Sequence, residues 1–280
     1  MSEHHLDYLV IGHVTRDRAP EGGFTVGGTA TYAARTAQAL GCRVGVVTSA
    51  GEGLDLAEAL PNIEILRVPA SATTTFDNRY SPTGRVQTIH TVAAPLTPEV
   101  VPPAWRTARV VHLGPVAREC DPALADLFPN AFMGLTPQGW MRRWDSTGQV
   151  RRAPWENADA LLPHADAVVL SEEDVGGDEA LIAQWATRTP VLALTQGAAG
   201  CTVYAAGVRQ ALPAPPVTEV DPTGAGDVFA AVFFTQLQQG DDPWKAARLA
   251  NCIAALSVTR PGLSGTPTPE EVARCRTLCV

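Results

Sequence analysis

Short apolar runs alternate along the chain with stretches in which apolar residues recur every three or four positions. That alternation predicts parallel strands joined by helices. Tyr8-Leu9-Val10-Ile11-Gly12 reads as a buried first strand. Behind it Ala30, Ala33, Ala34, Ala37 and Leu40 share one helical face, and Gly41 supplies a C-terminal cap. The small residues of that face permit close approach to a sheet. Further strands are expected at Val44–Thr48, Val110–Gly114, Ala167–Leu170 and Val191–Thr195, and a short antiparallel pair begins at Cys201. Ala211 to Pro222 holds four prolines and reads as an extended loop. Two helices follow, one with Phe229, Val232, Phe233 and Leu237 on a face and Gly240 at its end. The second carries Ala246, Leu249, Ala250, Ile253 and Leu256.

The segment from Thr73 to Val92 has period two instead. Thr73, Thr75, Asp77 and Arg79 alternate with Thr74, Phe76 and Tyr80, and a turn is expected at Ser81-Pro82-Thr83-Gly84. Val86, Thr88, His90 and Val92 then alternate with Gln87, Ile89 and Thr91. A β-hairpin follows from this patterning, and its mixed polarity suits a lid over a site. Its free edge offers a route to a homodimer. No linker divides the chain, so a single domain over residues 1–280 is expected.

Composition narrows the chemistry. The net charge of −8 rules out a broad electrostatic footprint for nucleic acid or anionic lipid. Of 21 basic residues only Lys245 is a lysine, and no Gly-rich loop precedes it. P-loop and protein-kinase schemes both place a lysine on the phosphates, so neither fits. The cysteines, Cys42, Cys120, Cys201, Cys252, Cys275 and Cys279, form no C-x-x-C pair and read as buried thiols. The histidines show no metal-site spacing, and His4 and His5 stand on a polar end. With no signal peptide and no apolar run of membrane-spanning length, a cytoplasmic location is expected.

The informative stretch is Asp221-Pro222-Thr223-Gly224-Ala225-Gly226-Asp227-Val228-Phe229. It sets small residues at the opening of an amphipathic helix, where backbone N–H groups lack partners and the dipole is positive. Gly224, Ala225 and Gly226 thus form a candidate anion hole that needs no lysine. Asp227 at its edge is the candidate catalytic base, although an acid in a first helical turn also serves simply to complement the dipole. The positive terminus is expected to keep Asp227 ionised and weakly basic. Phosphoryl transfer tolerates a weak base, because alignment matters more than early proton removal.

Here the chain resembles the ribokinase (PfkB-type) carbohydrate kinases, whose signature D-x-T-G-A-G-D-x-F is met at every fixed position. Gly27-Gly28, the small-residue helix and Ala39-Leu40-Gly41 are similar to the family's N-terminal signature. Thr195-Gln196-Gly197-Ala198-Ala199-Gly200 is similar to its T-x-G-x-x-G nucleotide loop. The resemblance implies an α/β, three-layer α/β/α fold with a mostly parallel central sheet and a small β lid. It implies ATP and Mg2+, with Thr195, Gly197 and Gly200 along the nucleotide. Asn251 would border the adenine unless it is a satisfied core amide. Asp17 matches the acid that binds substrate hydroxyls, and Asp221 matches a residue that helps hold a monovalent cation, K+ being the candidate.

Two departures stand out. Ser171-Glu172-Glu173-Asp174 occupies the place of N-x-x-E, so Ser171 replaces an amide at the nucleotide site. Asp174 would hold Mg2+ through water, unless these acids are only a helix start. Tyr32 stands where an asparagine commonly touches the sugar. With Thr31 it predicts a more aromatic acceptor pocket, joined by Trp140 from the loop Thr136–Arg142 unless Trp140 is loop packing. Arg79 on the predicted lid would reach the phosphate on closure, unless it is merely solvated. The motifs Gly-Gly-Thr-Ala-Thr-Tyr and Thr136–Arg142 are similar to inositol-kinase-like branches. A sugar or polyol is therefore the expected partner of ATP. A nucleoside kinase and a sensor that lost turnover are the alternatives, and a dinucleotide oxidoreductase is disfavoured because no G-x-G-x-x-G follows the first strand.

Overall fold

The computed structural model describes residues 5–19, 22–81 and 84–278. Nine strands form the main sheet: β1 (Tyr8–Ile11), β4 (Val44–Ala50), β5 (Glu64–Pro69), β8 (Val110–Leu113), β9 (Phe132–Leu135), β12 (Ala167–Ser171), β13 (Val191–Thr195), β14 (Cys201–Ala205) and β15 (Val208–Leu212). A second sheet comprises β2 (Thr15–Arg18), β3 (Phe24–Gly27), β6 (Thr75–Ser81) and β7 (Gly84–Thr91), and β10 (Arg142–Trp144) pairs with β11 (Val150–Arg152). The helices are α1 (Thr29–Ala39), α2 (Leu56–Ala59), α3 (Ala158–Leu161), α4 (Glu172–Val175), α5 (Glu179–Ala186), α6 (Ala225–Gln238), α7 (Pro243–Ser257) and α8 (Pro269–Leu278).

The main sheet runs β15-β14-β13-β12-β9-β8-β1-β4-β5, parallel except for β14 and β15. Its central strands are apolar on both faces because both faces are covered. Tyr8 and Val10 of β1 enter a core shared with α1, α6 and α7, whereas Leu9 and Ile11 enter a second core on the other side. Each of these buried side chains contributes about 1.5–3 kcal/mol. The three-layer α/β/α expectation holds.

The hairpin expected near 73–92 is present as β6 and β7, with Asn78 opposite Gln87. Pro82 and Thr83 of its expected turn lie outside the described residues, as do His4 and Cys279. The sheet has two more strands than sequence reading expected, since β2 pairs parallel with β6 and antiparallel with β3. Phe76 and Ile89 are buried on the face turned to the main body, against Val116 and Ala117. Chain segments leaving β1, β8, β9, β12 and β13 all emerge at one edge of the main sheet, where such folds place ligands.

Candidate active site

The helix α6 starts where the small-residue motif predicts. Gly224 is its N-cap, in a left-handed conformation with φ of 79°. A Cβ at Gly224 would stand 2.3 Å from the Tyr32 ring, so glycine is required both by backbone and by space. Val228 N–H is the first to close a helical turn, onto Gly224 O, while Ala225 N–H is drawn back to Pro222 O at 3.2 Å. Gly226 and Asp227 therefore present the N–H groups that precede the first turn. Nothing lies within 4 Å of a Cβ built on Gly226, which leaves open space above the helix end.

Asp227 behaves differently from the sequence expectation. Burial pushes its carboxyl up to about 6, with Asp174 adding to the rise. The Thr29 hydroxyl, which donates a hydrogen bond to it, and the Arg142 guanidinium pull the other way. Desolvation outweighs the helix dipole here. The outcome is a carboxylate still charged at neutral pH yet more basic than an ordinary aspartate.

A buried polar chain runs beneath. Tyr8 Oη meets His112 Nδ1 at 2.9 Å, and His112 Nε2 meets Thr136 Oγ1 at 2.9 Å. Burial lowers the His112 imidazole to about 3, so it stays neutral. Thr136 and Thr29 adjoin across Gly114. Sequence reading passed over this chain because its members come from three separate stretches, β1, β8 and the turn after β9.

Further along the same edge Ser171 and Thr195 are paired neighbours at the ends of β12 and β13. Ser171 and Asp174 form a capping box: Ser171 N–H donates to Asp174 Oδ2 at 2.9 Å, and Asp174 N–H donates to Ser171 Oγ at 3.2 Å. Gln138 Nε2 donates to Asp174 Oδ1 at 3.3 Å. The three first-turn acids of α4 are thus the helix start that sequence reading held open, with Asp174 in addition facing Asp227. Gly197 and Gly200 turn the segment after β13, with φ of 55° and 97°.

Several expected ligand contacts are engaged elsewhere. Asn251 is buried, and its Nδ2 donates to Leu212 O at 3.0 Å, which makes it the satisfied core amide rather than a free adenine contact. Asp221 Oδ1 accepts from Thr223 N–H at 2.9 Å and Oδ2 from Gly262 N–H at 2.7 Å, tying the loop before α6 to the turn after α7. Trp140 does not offer a face to an acceptor. It is buried, stacks on Trp155 with centroids 5.9 Å apart, and donates its Nε1–H to Cys120 O. Thr31 is buried with its hydroxyl donating to Gly27 O at 2.7 Å, and Tyr32 is buried beneath Gly224. Neither makes the pocket aromatic, because both support the helix start instead.

Asp17 packs against the segment that leads into α1. Its Oδ2 would lie 2.4 Å from a Cβ on Gly27, and Gly28 then caps α1, whose Thr29 bonds Asp227. Arg79 is 80 % exposed and pairs with Asp77 at 3.1 Å, on the outward face of β6, away from Phe76. Sequence reading missed the arginine that does sit inward. Arg142 is buried, donates from Nη1 to Val116 O at 2.9 Å, lies over the Phe76 ring at 5.7 Å, and acts on Asp227. Its only sequence signal was its place beside the Trp140 loop.

The chain resembles known kinases in sequence and in fold. The model of the pfkB family carbohydrate kinases matches residues 143–271. Fructokinase-1 of Oryza sativa subsp. japonica is 28% identical over 60% of this chain, and the match spans 58% of that enzyme's length. Cytidine kinase of Thermococcus kodakarensis is 26% identical, covering 87% of this chain and 93% of the enzyme. Inositol 3-kinase of Oryza sativa subsp. japonica is 28% identical, covering 92% and 70%. Among solved structures, a pyrophosphate-dependent kinase in the ribokinase family, complexed with a pyrophosphate analog and myo-inositol, superposes with a TM-score of 0.81. It shares 20% identity, over 95% of this chain and 99% of that one, and so speaks to the fold.

Proposed function

We propose that the chain, whose residues 143–271 match the model of the pfkB family carbohydrate kinases, transfers a phosphoryl group to a hydroxyl of a sugar or polyol. The observation that carries this reading is Asp227, lifted to about 6, at the edge of an open helix N-terminus. In the step, the acceptor hydroxyl gives its proton to the Asp227 carboxylate as the new O–P bond forms. The bond to the leaving phosphate breaks, and its electrons leave with that group. The Gly226 and Asp227 N–H groups stabilise the charge on the transferring group. Arg142 holds Asp227 charged, and Asp17 receives acceptor hydroxyls.

MgATP is the donor that the family resemblance implies. The open space above Gly226 leaves room for a phosphate. No group of three metal-ligating side chains gathers among the described residues. That suits Mg2+, which takes one or two carboxylates besides phosphates and water. Asp174, which acts on Asp227, is the carboxylate that would meet its water shell, and the ion would shield charge on the donor. Thr195, Ser171, Gly197 and Gly200 would border the nucleotide. The inward-turned Asn251 amide favours a second donor reading, pyrophosphate, which needs no adenine contact. The burial of Trp140 and Tyr32 favours a polyol over a nucleoside, since neither ring is available to stack on a base.

The test is consumption of ATP or pyrophosphate with sugars, polyols and nucleosides, run beside Asp227→Asn. Turnover of a sugar or polyol that the variant loses by about three orders of magnitude or more is expected. Turnover confined to nucleosides overturns the acceptor class, and binding without turnover moves the chain to a sensor.

A further inference from the structure

The chain passes between the main body and the small sheet at four places, and all four meet at His13. His13 itself lies on the first crossing, between β1 and β2. Its Nδ1 is 2.7 Å from Oγ1 of Thr74, the residue before β6, and its Nε2 is 2.9 Å from the carbonyl of Ala94, just after β7. Its own carbonyl would lie 2.4 Å from a Cβ on Gly28, the residue between β3 and α1, so only glycine lets that crossing run so close. Both His13 and Thr74 are fully buried.

The bonds around the ring have one sense. The Ala94 carbonyl only accepts, so Nε2 carries the hydrogen and the neutral ring leaves Nδ1 to accept. Thr74 Oγ1 takes the Ala93 N–H at 2.9 Å and gives its own hydrogen to Nδ1. On the other side, His13 N–H donates to Glu119 Oε1 at 2.9 Å. The same buried carboxylate accepts from Val116 N–H at 3.0 Å and Ala117 N–H at 2.6 Å. Phe76 and Ile89 of the small sheet pack on Val116 and Ala117, and Val116 O holds Arg142. One ring and one carboxylate thus tie every crossing to the loop that fixes the arginine acting on Asp227. A buried network of this kind is rigid while every member is satisfied.

We infer that His13 is a positioning residue, which with Thr74 and Glu119 sets the stance of the small sheet over the catalytic edge and so governs capture of the acceptor rather than the chemical step. The kinetic part rests on the kinase reading above. Thr74→Val keeps the shape but leaves the Ala93 N–H and His13 Nδ1 unpaired, whereas Thr74→Ser keeps the hydroxyl. The acceptor probes are myo-inositol, ribose and fructose. Thr74→Val is expected to raise the acceptor KM about tenfold, with donor KM and kcat within about threefold of wild type. Thr74→Ser is expected to stay within about threefold on all three. In Thr74→Val, amide hydrogen exchange is expected to quicken about tenfold over β2, β6 and β7 and to stay as in wild type over β1 and β8. A general loosening of the fold would quicken β1 and β8 too and would not spare kcat.

Wild-type exchange of the small sheet in Thr74→Val overturns the inference, whatever the turnover. So does quickened exchange with an unchanged acceptor KM, or a Thr74→Ser that behaves as Thr74→Val does. If Thr74→Val does not fold, His13→Asn decides: it offers Thr74 an acceptor near the place of Nδ1, loses the Ala94 bond, and is expected to shift KM and exchange in the same directions. Calorimetric binding of the probes separates this inference from the reading it rests on. Weakened binding with quickened small-sheet exchange, in a protein whose wild type turns over none of the probes, removes the kinase reading and leaves His13 as the residue that sets the sheet.

Discussion

Asp227 shows how two local effects of opposite sign are decided by magnitude. A helix N-terminus favours a charged carboxylate by a fraction of a kcal/mol to about 2 kcal/mol. Removal from water opposes the charge more strongly here and lifts the group to about 6 from 3.8. As the proposed base, Asp227 must be ionised, so kcat/KM should fall about tenfold per pH unit below a limb near 6. Stability carries the same shift with its own sign. The folded chain holds this proton more tightly than the unfolded one, so Asp227 costs nothing below the unfolded value and its full penalty above about 6. Asp227→Asn should therefore raise Tm near neutral pH, and the gain should vanish by about pH 4. An equal Tm difference at both pH values would mean that burial does not govern this carboxyl. The direction of the shift was not legible in the sequence, because the helix start is local and its burial under Thr29, Arg142 and Asp174 is not.

At the scale of the element, the two glycines of α6 separate a structural demand from a chemical one. Gly224→Ala forces a Cβ at positive φ into the Tyr32 ring, so Tm and activity should fall together. Gly226 has an ordinary φ and open space. Gly226→Ala should leave Tm unchanged or raise it by a few degrees, since alanine suits a helix better than glycine. Activity should nevertheless drop by at least about tenfold, because the methyl group occupies the approach to the exposed N–H groups. Thermal melts beside steady-state rates read this out, and full activity in Gly226→Ala would remove the anion hole. The same motif explains why the site was partly legible: D-x-T-G-A-G-D declares a turn, a helix start and an acid within seven residues. Main-sheet strands such as Val191–Thr195 were legible as apolar runs for a related reason, being buried on both faces. Thr15–Arg18 was not, since a four-residue strand rich in charge owes its structure to β6, far along the chain, and Phe24–Gly27 is a strand only by pairing with it. Trp140 was misread for want of any local sign that Trp155 and Cys120 O would claim it.

Across the whole molecule, Arg142 is the side chain that joins the small sheet to the chemistry. It leaves the end of the turn after β9, bonds the carbonyl of Val116 after β8, and lies beneath Phe76 of β6. Charge and shape can be separated at this position. Arg142→Met removes the cation that holds Asp227 down against burial and Asp174, with Thr29 still in place and neutral His112 contributing no charge. The acidic limb of the pH–rate profile should move up by about half to one pH unit. Arg142→Lys keeps the charge but loses the planar guanidinium that bonds Val116 O and lies over Phe76. Its limb should stay near 6, while the acceptor KM rises because the small sheet is no longer held over the site. If lysine and methionine shift the limb equally, Arg142 acts on Asp227 through packing rather than charge. If lysine leaves both limb and KM at wild-type values, Phe76 does not couple the small sheet to the catalytic edge, and closure must run through the Asp17 side of that sheet instead.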